Sequence, residues 1–324
     1  MQTIQFKSNS VNYKVEEPFI LESGHALQDL RIQYTTYGEL NSDKSNVVWV
    51  FHALTANSHP DEWWPELIGE GHFVDPNKHF IVCANLIGSC YGSTEPASFD
   101  FPLITIRDMV NGFKLLKNKL EIEKIQIGIG GSMGGQTMLQ WTVDEPDLFE
   151  TIVPIATNAV HSAWGIAFNE SQRMALKNDD LEKGLEAARA IALLSYRGYE
   201  TYQLTQTDLD NRSDNFSASS YQQYQGQKLF KRFSPYSYYT LSKAMDSHNV
   251  GIGYDSIGEA LKRIKSFALV IGIESDILFP PSEQKFITSN IPNAIFKSIE
   301  SKYGHDGFLI ETEQIEKLLF QHLT

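Results

Sequence analysis

The sequence predicts an α/β protein with a mostly parallel central sheet flanked by helices and a helical segment inserted late in the chain. Three observations carry that prediction. Unbroken apolar runs recur at Val47–Phe51 (VVWVF), His79–Ala84 (HFIVCA), Thr151–Ala156 and Phe267–Ile271 (FALVI), the pattern required of parallel strands covered on both faces. Between two of these runs, Ile106, Met109, Val110, Phe113, Leu116 and Leu120 keep helical spacing, so strand and helix alternate as in βαβ units. From Val160 to about Lys265 no buried strand is legible, and the core pattern then resumes.

Taken in order, YKVEEPFI (13–20) and LRIQYTTY (30–37) have strand composition and flank Ser23-Gly24-His25, which predicts an N-terminal hairpin. VVWVF ends in His52-Ala53-Leu54-Thr55, and HFIVCA runs into the loop Asn85–Pro96. Thr105 and Asp108 stand where a capping box would open the next helix. The stretch Ile125–Trp141, an apolar run followed by a glycine cluster holding one serine, follows, then the strand at 151–156. Within the insertion, Ala175–Leu194 reads as one helix, and the tyrosines at 199, 202, 221 and 224 argue against disorder, since disordered segments are poor in aromatics. Phe267–Ile271, Ala294–Ile299 and a last helix carrying Ile315, Leu318 and Leu319 complete the core. The expected division is a core of 1–159 plus 266–324 and a lid of 160–265 covering the sheet's carboxyl edge.

Size and charge narrow the function. A chain of 324 residues can bury a substantial core, and it holds no apolar run long enough to span a bilayer. The stretch MQTIQFKSNS has no export signal, so a cytoplasmic location is expected. Cys83 and Cys90 are too few for a disulfide framework or a zinc site; Cys90 could line a pocket, but both are expected to be structural thiols. A net charge of -13 argues against nucleic acid. Residues 160–265 hold 13 basic and 12 acidic side chains, leaving 14 basic and 28 acidic for the rest. A nearly neutral insertion thus sits in an acidic body.

The chemistry centres on Gly130-Gly131-Ser132-Met133-Gly134, a G-x-S-x-G pattern between a strand and a helix. At such a bend the serine backbone is strained, its neighbours must be nearly free of side chains, and the helix start favours an anion. A serine hydroxyl also needs a histidine to take its proton and a carboxylate to orient that histidine. In the order such folds require, Asp276 follows the FALVI strand and His305 follows 294–299. Ser132, Asp276 and His305 are therefore the expected triad, with Glu274 the rival acid. The amides of Met133 and Leu54 are the expected oxyanion donors, and His52 is expected to be structural.

These residues, together with HALT (52–55), GSCYGSTEP (88–96), FPLITIRDMV (101–110), SYRG (195–198), QGQKLFKRF (225–233), AMDSHNVG (244–251), SDILFPP and YGHDGFLIE, resemble the homoserine O-acetyltransferases of the α/β-hydrolase superfamily. The resemblance implies a ping-pong transfer through an acyl-serine, from acetyl-CoA as co-substrate to L-homoserine, in a route to methionine. No permanently bound cofactor and no metal are implied. It further implies that Arg197 and Asp306 hold the homoserine carboxylate and ammonium, and that the protein is a homodimer joined through the inserted helices. Three departures bear on the acyl donor: Glu95 where the family usually has glycine, a short 96–101 stretch, and Ile252–Asp255 in place of a more arginine- and glycine-rich sequence. Succinyl-CoA as donor, L-serine as acceptor, or water as acceptor are the alternatives. The near-neutral charge of the insertion is expected to ease the approach of the anionic coenzyme, and reversing Lys228, Lys231 and Arg232 tests this.

Overall fold

The computed structural model describes residues 8–324; Met1–Lys7, part of the stretch read for an export signal, lie outside the described residues. Strand β1 (Ser8–Lys14) pairs antiparallel with β4 (Arg31–Tyr37), from Ser8 opposite Tyr37 to Lys14 opposite Arg31. The expected partner, 13–20, is thus placed too late. Pro18 has no N–H to offer a ladder, and beyond it the two-residue strands β2 (Phe19–Ile20) and β3 (Ala26–Leu27) form a separate ribbon. The true partner, SNSVNYK, is polar because it is an edge strand and mostly exposed.

The remaining strands are β5 (Val47–Phe51), β6 (Phe80–Ala84), β7 (Ile125–Gly131), β8 (Phe149–Ile155), β9 (Phe267–Ile273) and β10 (Ala294–Ile299). They lie parallel in a sheet of order β1-β4-β6-β5-β7-β8-β9-β10. Helix α1 (Pro60–Trp63) follows β5, α2 (Ile106–Lys119) follows β6, and α3 (Met133–Asp144) follows β7. The predicted capping box opens α2: Asp108 N–H donates to Thr105 Oγ1 (3.2 Å) and Thr105 N–H donates to Asp108 Oδ2 (2.9 Å). Against one sheet face, Trp141 of α3 meets Trp49 of β5 edge-on at 5.0 Å, with Phe51, Phe113 and Phe149 around them. This aromatic layer fixes the height of α3 over the sheet.

Between β8 and β9 run α4 (Ala163–Leu176), α5 (Leu181–Tyr196), α6 (Tyr199–Gln206), α7 (Ser217–Phe230), α8 (Pro235–Asp246) and α9 (Ile257–Leu261). The single helix expected at 175–194 is in fact two. Asn178-Asp179-Asp180 turns the chain, and the Asp180 side chain caps α5 by accepting from Lys183 N–H (3.1 Å). Val160 and Asn249 form an antiparallel bridge, so the chain enters and leaves α4–α8 at one neck. Leu185, Leu229, Tyr238 and Leu241 of these helices belong to the same apolar cluster as Trp49 and Phe113. After β9 come α10 (Pro281–Asn290), β10, a 3-10 turn at Gly304–Asp306, α11 (Gly307–Ile310) and α12 (Thr312–Leu323). No helix is long and apolar enough to cross a membrane.

A buried polar network ties the insertion to the sheet. His161 lies between Gln136 of α3 (3.2 Å) and Asn169 of α4 (3.2 Å); Asn169 and Arg173 both donate to Asp246, at 2.8 and 2.6 Å. His248 donates through Nε2 to the Asn158 carbonyl (2.9 Å). Burial pushes His161 down to about 4 and His248 to about 3, and His52 beside the sheet likewise falls to about 4.

These histidines fold neutral but bind protons near pH 6.5 once unfolded. Their contribution is complete above that value and is lost as pH falls toward 4. Glu283, raised by burial to about 7, acts in the opposite direction, and one group does not offset three. Urea midpoints at pH 7 and pH 5 are expected to show a clear loss of stability at pH 5. A second expectation concerns Gly134, where an added Cβ would lie 2.1 Å from the Phe51 carbonyl oxygen. Gly134→Ala should cost about 3 kcal/mol in urea unfolding, the upper end for overpacking, against about 1 kcal/mol for removal of the helix cap in Thr105→Ala.

Candidate active site

Ser132 sits between β7 and α3 with φ 56° and ψ −126°, a conformation costly for a residue bearing a Cβ. The bend is held from both sides. Its N–H donates to the Ile155 carbonyl (3.0 Å), and its carbonyl accepts from Thr157 Oγ1 (2.8 Å) and Gln136 N–H (3.1 Å). The contact that forbids a side chain at Gly134 brings α3 against the end of β5, and Gly131 lies under the Phe308 ring, where a Cβ would come within 2.5 Å. Met133 is the first residue of α3, so its N–H has no partner within the helix.

Asp276 and His305 arrive from the carboxyl ends of β9 and β10. His305 Nδ1 is 2.7 Å from Asp276 Oδ2, and both residues are only 3% exposed. The other carboxylate oxygen accepts from Leu278 N–H (2.8 Å) and Phe279 N–H (2.9 Å), so this acid is fully engaged and cannot swing away. Glu274, the rival acid, is exposed and borders a separate surface depression. The imidazole packs between Phe279 (5.0 Å), Phe308 (5.2 Å) and Tyr196 (5.8 Å). Ser275 fixes the histidine loop by donating to the Ser301 carbonyl (2.6 Å) while accepting from Gly304 N–H (3.2 Å).

Ser132 and His305 border one cavity of about 310 Å³. Among the described residues Ser132 Oγ and His305 Nε2 are not hydrogen-bonded to each other; such contacts often tighten only when substrate is present. Leu54 borders the same cavity, on the loop after β5. His52 shapes that loop: it accepts the Leu86 N–H at Nε2 (3.0 Å), which leaves the ring proton on Nδ1 to be donated to the Ala53 carbonyl (2.8 Å). Burial keeps this ring neutral, in agreement with the structural role expected of it.

Asp306 lines the cavity, whereas Arg197 does not. Arg197, at the end of α5, donates from Nε to Asp306 Oδ2 (2.9 Å) and stacks on Tyr221 at 5.4 Å. The two residues expected to grip opposite ends of an amino acid are thus joined to each other. Sequence reasoning missed Arg189, Tyr196, Trp63 and Glu62 on the cavity wall. Arg189 sits in LEKGLEAARA, which reads as an ordinary solvated helix face. Cys90 lies outside the cavity and accepts from Ser234 N–H (3.4 Å), while Cys83 is buried in the core, so both thiols sit in structural surroundings. Among the described residues no three His, Cys, Asp or Glu side chains are arranged to hold a metal.

The model of the α/β-hydrolase fold matches residues 46–312. A homoserine O-acetyltransferase of Cyclobacterium marinum is 46% identical over 323 residues, covering 94% of this chain and 92% of that relative. Among solved structures, homoserine O-acetyltransferase from Staphylococcus aureus superposes with a TM-score of 0.86 at 27% identity, over 98% of this chain and 96% of that one. Esterase E22 reaches the same TM-score at 20% identity, over 97% of this chain and 100% of its own, which shows the fold alone. An elbow serine bordering the same cavity as a buried His–Asp pair is thus accompanied by full-length likeness, and the chain belongs to the homoserine O-acetyltransferase family of the α/β hydrolases.

Proposed function

We propose that this enzyme moves an acetyl group from acetyl-CoA to the hydroxyl of L-homoserine by a ping-pong route through acyl-Ser132, a step in methionine synthesis carried out in the cytoplasm. The observation that carries the reading is the 2.7 Å His305–Asp276 pair, buried at the wall of the cavity that Ser132 borders. Ser132 Oγ attacks the thioester carbonyl as His305 Nε2 takes its proton. Collapse of the tetrahedral intermediate breaks the C–S bond, and His305 returns the proton to the departing thiolate. The homoserine hydroxyl then attacks the acyl-serine, giving its proton to His305, which passes it to Ser132 as the ester leaves. The amides of Met133 and Leu54 stabilise the oxyanion in both halves.

Arg197 and Asp306 discriminate this reading from simple ester hydrolysis, because a free amino acid needs an anion and a cation clamp and water needs neither. Only Nε of Arg197 is committed to Asp306, so the outer edge of the guanidinium suits a carboxylate while Asp306 receives the ammonium. Residues 160–265 serve as the lid: α5 supplies Tyr196 against the imidazole, and water is thereby kept from the acyl-serine. Trp164, Met174, Leu194, Leu204 and Leu209 are exposed on or beside these helices, and they support a homodimer formed through the insertion.

In a thiol-release assay, acetyl-CoA consumption is expected to require L-homoserine; release at the same rate without an acceptor would make the enzyme a thioesterase. Asp276→Asn should lower kcat about 10⁴-fold with the fold intact, because the histidine then loses its tautomer and orientation. Arg197→Ala should raise KM for homoserine at least tenfold while leaving acyl-enzyme formation measurable in a rapid-quench experiment, which separates a substrate clamp from a structural ion pair.

A further inference from the structure

Beside the catalytic cavity lies a recess of about 80 Å³ bordered by Arg189, Lys228 and Arg232, together with Gln225 and Leu229. Arg189 and Arg232 border both spaces, so the recess adjoins the catalytic cavity. The packing of α5 on α7 creates it. Gly226 presses on Glu186, where a Cβ would lie 2.9 Å from the Glu186 backbone, and this close approach sets Arg189 and Lys228 on facing helices.

Among the described residues none of the three cations is paired with a carboxylate. Glu186, one turn before Arg189, is taken by Lys183 (2.8 Å). Arg232 spends its donors on neutral acceptors, the Thr55 carbonyl (2.6 Å) and Tyr91 Oη (2.8 Å), which anchor it to the loop after β5. Arg189 stacks on Tyr196 at 5.4 Å, and that ring lies 5.8 Å from His305. Three uncompensated cations at one opening are costly to assemble and are not needed for solubility in a chain of net charge -13. They are the arrangement a polyanion requires.

We infer that Arg189, Lys228 and Arg232 receive the phosphate groups of the acyl donor's nucleotide carrier, fixing the carrier at the cavity mouth while its thioester arm reaches Ser132. This rests on the acetyl-CoA reading. The amino acid is already provided with one cation and one anion at Arg197 and Asp306, and a single carboxylate does not call for three further cations. Lys228 and Arg232 are exposed, which suits a bulky nucleotide held partly in solvent. Lys231 does not border the recess.

The test compares acetyl-CoA with the acetyl thioester of N-acetylcysteamine, which carries no phosphate, in the parent enzyme and in Lys228→Gln and Arg189→Gln. For acetyl-CoA, each variant should lower kcat/KM at least tenfold more than for the truncated donor. In the parent, KM for acetyl-CoA should rise with salt more steeply than in either variant. Equal losses with both donors would overturn the inference, and a rise in KM for homoserine with both donors would reassign the cluster to the amino acid. Calorimetry with adenosine 3′,5′-bisphosphate decides the case independently. If the parent transfers no acetyl from acetyl-CoA, the functional reading falls, while binding of the bisphosphate to the parent and its tenfold weakening in Lys228→Gln would still establish the phosphate receptor. Absence of such binding would remove it.

Discussion

The left-handed backbone at Ser132 is the constraint on which the rest of the molecule depends. A residue with a Cβ holds φ 56° only if its surroundings over-determine the bend, and here they do so through three unrelated elements. The ends of β8 and the following Thr157 bind both peptide groups of the serine, Phe51 at the end of β5 abuts Gly134, and Phe308 of α11 covers Gly131. Each contact requires the parallel strands to end at a common level. In the sheet register Gly131 lies beside Ile155, Ile155 beside Ile271, and Ile271 beside Lys297. The same alignment that permits the bend brings the loops bearing Asp276 and His305 next to it.

Polar groups around this centre are neutralised in pairs or buried without charge. Asp276 spends both oxygens, one on the imidazole and one on two backbone amides. His52 is kept neutral and bridges the two loops that follow β5 and β6. Further out, Asp246 gathers Arg173 and Asn169, and through His161 the insertion is locked to Gln136 on the elbow helix. Arg189, Lys228 and Arg232, none of them paired with a carboxylate among the described residues, lie together beside the cavity.

Much of this was legible in the sequence where local chemistry decides the outcome. VVWVF and FALVI have the unbroken apolar pattern of doubly covered strands, the Thr105–Asp108 pair could cap, and glycines around a lone serine signalled the bend. Asp276 prevailed over Glu274 by its distance into the loop, and the structure places it beside His305. The sequence was least informative where the fold overrides composition. SNSVNYK is polar yet pairs along its whole length because an edge strand needs little burial. Likewise Ala175–Leu194 has unbroken helical propensity apart from a short polar turn, and that turn reverses the chain. Arg189 and Tyr196 acquire meaning only once α5 packs over the cavity, and no spacing rule places a helix face against a loop more than a hundred residues away.

The likeness of the fold to esterases and transferases alike means that architecture alone leaves the acceptor open; the proposed amino-acid acceptor rests on Asp306, which lines the cavity, and on Arg197 bound behind it. The measurement that bears most directly on the account is the intact mass of the enzyme quenched after mixing with acetyl-CoA in the absence of acceptor, followed by peptide mapping. The account predicts a gain of one acetyl group located on Ser132, removed rapidly when L-homoserine is added with O-acetylhomoserine as the product. An unmodified Ser132 in an enzyme that still turns over, or an acyl group that persists in the presence of L-homoserine, would contradict it.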